Sequence, residues 1–329
     1  MAEIGYWLSS EEHTPRDLVR NAVRAEQMGF TWAMISDHFH PWIDRQGQSP
    51  FVWSVIAAIG QATERLHLGT GVTCPFIRTH PAIIAHAAAT AEALMPGRFF
   101  LGVGTGENLN EHVTGQKWPP YRVRQEMLKE AVEIMRLLWQ GGLKSYYGKH
   151  LTLENARLYT LPDKPPPVVV AAAGPKSAAL AAEIGDGLVN SAPQKEVVDR
   201  YNQAGGKDKP KHGQFTFCWA RTEEEALNTA YELWPTSALK GNVSQELPLP
   251  SYFEDLATIV TKEQRAQKVI HGPDPERLVA GIRRYVDAGF THIYLHQIGP
   301  DQEGFFDFWQ RELRPALGNL AAAPAGTGR

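Results

Sequence analysis

The strongest constraint on the fold is a unit found near both ends of the chain: a helical apolar stripe, a closing glycine and a short apolar run. Near the N-terminus, Leu18, Ala22, Ala25 and Met28 share one helical face that stops at Gly29, and Phe30-Thr31 leads into Trp32-Ala33-Met34-Ile35. Near the C-terminus, a face with Ile282 and Val286 stops at Gly289, followed by Phe290-Thr291 and His292-Ile293-Tyr294-Leu295. Glycine accepts the left-handed conformation that closes a helix, so Gly-Phe-Thr marks the same helix-to-strand turn at both places. Apolar runs this short and continuous are expected of strands buried on both faces of a parallel sheet.

Further strands are expected at 4–7, 66–69, 99–103, 168–172, 188–190 and 215–219, with helices at about 52–63, 82–94, 122–139 and 176–184. About eight parallel strands separated by helices favour a (β/α)8 TIM barrel over an open doubly wound sheet, although strand order is not visible in sequence. Residues 1–318 are expected to form one barrel domain, with insertions near 105–121 and 232–264 at its C-terminal face. Insertions after strands are where barrels build sites and lids. The small and polar residues 319–329 are expected to be a disordered tail.

A formal charge of −3 argues against nucleic acid or a membrane surface as the main partner, and leaves a small-molecule substrate. Cys74 and Cys218 are far apart and outside any metal-ligand spacing, so no metal and no disulfide framework is expected. With no export signal at the N-terminus, a reducing cytoplasm is the expected location.

The strand ending at Ile35 runs into Ser36-Asp37-His38-Phe39-His40-Pro41-Trp42, which puts an ionisable pair and an aromatic at a strand's C-terminal end. An imidazole there can change protonation near neutral pH, and Trp42 can cover a flat ligand or shield it from water. Alone, the pair is read at least as readily as a hydrogen-bonded structural histidine. Leu101-Gly102-Val103-Gly104-Thr105-Gly106-Glu107-Asn108 is a strand entering a glycine-rich loop, without the spacing of a Rossmann or Walker fingerprint. It suits either a tight turn or a close approach of ligand to backbone. Glu107 is the best carboxylate partner for His38, because both follow strands. Gly69-Thr70-Gly71-Val72-Thr73-Cys74-Pro75 and Ala171-Ala172-Ala173-Gly174-Pro175-Lys176 follow two other strands, and the second opens a helix whose N-terminus could receive an anion.

Taken in order, Ser-Asp-His-x-x-Pro-Trp, Gly-Thr-Gly-Val-Thr-Cys-Pro, Gly-Val-Gly-Thr-Gly-Glu-x-Leu-Asn and Ala-Ala-Ala-Gly-Pro resemble the luciferase-like flavin and deazaflavin oxidoreductases. Within them, the chain is most similar to the coenzyme F420-dependent glucose-6-phosphate dehydrogenase group, from about Ile4 to Leu317. The resemblance implies a barrel that binds F420 at its C-terminal face, a hydride-transfer reaction and a homodimer. It implies that His38 takes a proton from a substrate hydroxyl, that Glu107 protonates the reduced ring, and that Trp42 helps hold the reacting partners. It also implies that Asp37, Thr105, Gly106, Asn110, Ala172, Ala173 and Gly174 line the cofactor, behind which Gly71-Val72 forms a cis peptide.

Sugar-phosphate-using members carry a Lys-Arg pair where this chain has Ala266 and Gln267, and a lysine where it has Gln194, followed by Lys195. Lys240 is a further basic candidate for the substrate site. With an anchoring arginine replaced, an alcohol or sugar held differently from glucose 6-phosphate is expected. The alternatives are an FMN-dependent luciferase-like monooxygenase and a non-catalytic F420-binding or carrier protein.

Overall fold

The computed structural model describes residues 2–238 and 243–320. Its strands, in chain order, are β1 (Glu3–Leu8), β2 (Trp32–Ile35), β3 (His67–Thr70), β4 (Phe99–Val103), β5 (Lys144–Tyr147), β6 (Thr152–Ala156), β7 (Val168–Ala171), β8 (Gly187–Asn190), β9 (Lys211–Cys218), β10 (Ile270–His271) and β11 (His292–Gln297). Parallel pairing runs β9-β11-β1-β2-β3-β4-β7-β8, and β8 pairs again with β9. Eight strands therefore close into the expected (β/α)8 barrel, flanked by helices that include Pro15–Gln27, Val52–Ala62, Pro81–Leu94, Tyr121–Trp139 and Pro275–Ala288.

Both Gly-Phe-Thr turns close in the same way. Gly29 and Gly289 have φ of 87° and 95°. The amides of Phe30 and Phe290 each reach back 3.0 Å to the carbonyls of Ala25 and Tyr285. That is the bond of a helix closed by a left-handed residue, and it aims the following strand back into the sheet.

The strand expected at 215–219 begins earlier, at Lys211. Its first residues are polar, yet Lys211 and His212 are buried. The Lys211 ammonium donates to the carbonyls of Lys207 and Lys209, and His212 Nδ1 lies 2.9 Å from the Tyr294 hydroxyl. The antiparallel hairpin β5-β6 and the two-residue β10 were not expected from the sequence. The hairpin lies outside the barrel and buries little of each strand, so it carries no continuous apolar run.

Trp7, Met34, Phe100, Val169, Val189 and Tyr294 fill the barrel interior, while a larger apolar layer joins the strands to the helices. Among the described residues, no helix is long and apolar enough to cross a membrane, and no group of acidic, histidine and cysteine side chains is placed to hold a metal. Lys240 and residues 321–329 of the expected tail lie outside the described residues.

Candidate active site

Three strand ends converge on His38. Its loop follows β2, and its ring lies between Glu11, after β1, and Glu107, after β4. Nε2 is 3.4 Å from Glu11 Oε1 and 3.6 Å from Glu107 Oε2. Burial favours the neutral imidazole, but the Glu11 and Glu107 carboxylates, helped by the His40 carbonyl and Asp37, outweigh it and raise the His38 pKa. The Glu107 carboxyl is also raised from its ordinary value: desolvation raises it most, Glu11 adds repulsion, and His38 and Asn110 pull the other way.

Glu11 is held in place by hydroxyls, since Oε2 accepts from Ser36 Oγ at 2.5 Å and from Ser9 Oγ at 3.1 Å. Sequence reasoning missed it. It sits in Ser9-Ser10-Glu11-Glu12-His13, which reads as a polar loop. Only the rule that residues following a barrel strand face the site would have singled it out.

Asn110 is buried on the other side of the histidine. Its Oδ1 accepts from the backbone amides of Phe39 and His40, at 2.9 and 3.2 Å, which fixes the amide group. Its Nδ2 then faces Glu107 Oε2 at 3.1 Å and His38 Nδ1 at 3.2 Å. His38 Nδ1 is also 3.1 Å from the carbonyl of His40. These two contacts require opposite tautomers. With Nδ1–H donating to the carbonyl, Nε2 keeps its lone pair between Glu11 and Glu107, as a general base requires.

Trp42 places its ring 5.2 Å from that of His38 and meets Phe253 edge-on at 5.3 Å. Phe253 is buried with Ile43 and Leu109, and Leu247 packs on the same cluster. Asn108 Nδ2 donates to the Glu246 carbonyl at 2.9 Å. The insertion expected at 232–264 thus contributes helices that sit against the loops after β2 and β4.

Gly71-Val72 is a cis peptide. A Cβ on Gly71 would lie 2.4 Å from the Trp7 ring, and one on Gly104 would lie 2.7 Å from Val72 and 3.4 Å from Ala171. Only glycine permits this close apolar packing, which ends in the Thr105-Gly106 turn beside Glu107. After β7, Ala172 is buried and Ala173 exposed. Gly174 has no heavy atom within 4 Å of a Cβ position and opens the helix Pro175–Ile184. Asp37 is buried, accepting from Thr73 Oγ1 at 2.8 Å and pairing with Arg78 at 2.8 Å.

The residues expected to hold substrate lie on the loops and helices after β8 and before β10. Gln194 Oε1 accepts from Asn190 at 3.0 Å, and the exposed Lys195 ammonium is 2.7 Å from Asp199. Gln267 is exposed at the end of the helix Lys262–Ala266, whose Arg265 is wholly buried, donates to the Ala230 carbonyl, and is pushed down to about 9 by desolvation. Gln194, Lys195 and Gln267 make no hydrogen bond or ion pair with His38, Glu107 or Trp42.

The family described as Luciferase-like monooxygenase matches residues 1–292. An F420-dependent glucose-6-phosphate dehydrogenase from Nocardia farcinica is 38% identical, over 97% of this chain and 99% of that one. A solved F420-dependent secondary alcohol dehydrogenase, in complex with an F420-acetone adduct, superposes with a TM-score of 0.89 at 30% identity, covering 96% of this chain and 99% of that one. A coenzyme F420-dependent tetrahydromethanopterin reductase from Methanopyrus kandleri shares the fold, with a TM-score of 0.77 at 19% identity over 96% of this chain and 99% of that one.

Proposed function

The chain belongs to the luciferase-like monooxygenase family, and from that premise we propose that it is a coenzyme F420-dependent oxidoreductase acting on CH–OH groups. It exchanges hydride between the deazaflavin and a small alcohol or sugar, or the matching carbonyl. The observation that carries this reading is His38 Nε2 held between two carboxylates, at the mouth of a barrel that also presents a glycine-lined apolar surface. Residues 1–318 act as a single catalytic barrel domain.

The residues present suit the cofactor. Gly71, Val72, Gly104 and Ala171 form a close-packed apolar bed backed by Trp7, and Gly174 leaves open space at a helix start. Asp37, Gly71, Val72, Thr105 and Gly106 would hold the ring, and Ala172, Ala173 and Gly174 the anionic tail. A bound deazaflavin would supply the hydride acceptor or donor of the reaction. The protein's task is the proton. His38 Nε2 takes it from the hydroxyl, and Glu11 and Glu107 stabilise the imidazolium that forms. Glu107, biased toward its protonated form by desolvation, supplies a proton on the cofactor side. Trp42 and Phe253 shield these steps from water. The amide of Asn110, expected at the cofactor, is committed to Glu107 and to the backbone amides of Phe39 and His40, so we assign it to holding the loop that carries the base and to orienting the acid.

The substrate is an alcohol that does not depend on a 6-phosphate. Gln267 is a neutral amide where the resembled enzymes carry an arginine, and Lys195 is already paired with Asp199. Each lost charge-assisted contact weakens phosphate binding by ~1.5 to 3 kcal/mol, more than tenfold in affinity. Steady-state kinetics with F420 as acceptor should therefore give a higher kcat/KM for a small secondary alcohol than for glucose 6-phosphate. Efficient saturation by micromolar glucose 6-phosphate would overturn the substrate assignment.

We also place the enzyme in the cytoplasm, where the free, buried thiols of Cys74 and Cys218 stay reduced, so its recovery in a secreted fraction would count against this. It acts as a homodimer. An apolar groove between the helices Val52–Ala62 and Pro81–Leu94 is bordered by Phe51 and Ile83, whose exposures of 66% and 59% are high for side chains of this size. Light scattering should report twice the 36.5 kDa chain mass, and a monomer at micromolar concentration would contradict the assignment.

A further inference from the structure

We propose that Arg78 is a positioning residue that holds the His38 loop against Asn110, and through it the aim of the catalytic base; this rests on the assignment of His38 above. Arg78 follows β3, and its side chain is only 13% exposed. Its guanidinium lies 2.8 Å from Asp37 Oδ1, its backbone N–H donates to Glu111 Oε2 at 2.8 Å, and its Nε is 3.8 Å from Glu111 Oε1. Asp37 precedes His38 in the chain, and Glu111 follows Asn110. One arginine thus grips the immediate neighbours of both His38 and Asn110, whose Oδ1 ties the two loops by accepting from the Phe39 and His40 amides at 2.9 and 3.2 Å.

The arrangement couples two loops that share no covalent link. Thr73 Oγ1 holds the second oxygen of Asp37, so the loops after β2 and β3 move as one. Glu111 carries that restraint to the short helix Asn108–Glu111, directly after Glu107. The electrostatics agree. Burial opposes the charge on Arg78, but Asp37 and Glu111 together raise its pKa, while burial pushes Glu111 up to about 7 against the pull of Arg78. Removing the cation leaves Asp37 and Glu111 buried without the partner they share, which frees the loops that carry them to part. The strain then falls on the bonds from the Phe39 and His40 amides to Asn110, which join the two loops beside His38. Arg78 bonds to neither His38 nor Glu107, so its effect on the reaction passes through Asp37 and Glu111.

The test uses Arg78→Gln and Arg78→Lys in the full chain, with two readouts. In the protein without cofactor, the imidazole nitrogens of His38 are followed by NMR, assigned by their disappearance in His38→Gln. With F420 and a secondary alcohol, kcat and KM are measured separately. Arg78→Gln should shift and broaden the His38 Nδ1 signal and lower kcat by about 10- to 100-fold, the scale of a small misplacement of a catalytic group, with KM within about threefold. Arg78→Lys keeps a charge for Asp37 but cannot hold both carboxylates, so it should fall between this variant and the parent on both readouts; it decides the matter if Arg78→Gln does not fold. Parental kcat and parental His38 signals in either folded variant would overturn the proposal. If the parent shows no F420 turnover, the functional assignment fails, and the His38 signals still decide the role of Arg78.

Discussion

Replacing His38 with alanine is expected to lower kcat for alcohol oxidation by about 100- to 10,000-fold, the usual scale for a lost general base, while F420 affinity stays within a few-fold. Its Nε2 is poised between Glu11 and Glu107, and alanine leaves no imidazole to take the proton there. The parent should show the corresponding pH dependence. Glu11 and Glu107 raise His38 above 6.5, so the basic form fills only at higher pH. Oxidation, which needs the neutral imidazole, should therefore increase as pH rises through that raised value, and the reverse reduction should decline over the same range. A His38→Ala enzyme within a few-fold of the parent, with the ascending limb intact, would remove His38 from the mechanism.

Glu107→Gln should have an effect of comparable size, about 100-fold or more on kcat. Glutamine keeps the shape and can still bond to Asn110, but it cannot give up a proton. It also removes one of the two carboxylates that hold up the His38 pKa, so the ascending limb should move to lower pH. The paired result, a slower enzyme with its limb displaced downward, separates loss of an acid from general damage. A variant with near-parental kcat and an unmoved limb would show that Glu107 is neither donor nor charge partner.

The barrel was legible because its strands are short, apolar and buried on both faces, and because two Gly-Phe-Thr turns closed their helices with left-handed glycines. The beginning of β9 was hidden by chemistry: Lys211 and His212 are polar, and only the carbonyls and hydroxyl that receive them in the fold make their burial tolerable. At the site, His38, Trp42 and Glu107 were visible because ionisable and aromatic side chains stood directly after apolar runs. Glu11 and Arg78 were not. Their importance comes from neighbours on adjacent strands, and the order β1-β2-β3-β4 around the barrel is a spatial fact absent from the linear chain. The resemblance supplied positions for Gln194, Lys195 and Gln267 but not their surroundings. Asn190 and Asp199, which pair with the first two in that order, were found only once the helix and strand ends were in place.

A cofactor titration tests the central claim most directly. The apolar bed formed by Gly71, Val72, Gly104 and Ala171 and the open helix start at Gly174 are assigned to a deazaflavin with an anionic tail. Fluorescence titration of the purified protein should give saturable, stoichiometric F420 binding and at most weak binding of FMN under the same conditions. Stoichiometric binding of FMN with no response to F420 would contradict the account and point to a flavin-dependent monooxygenase.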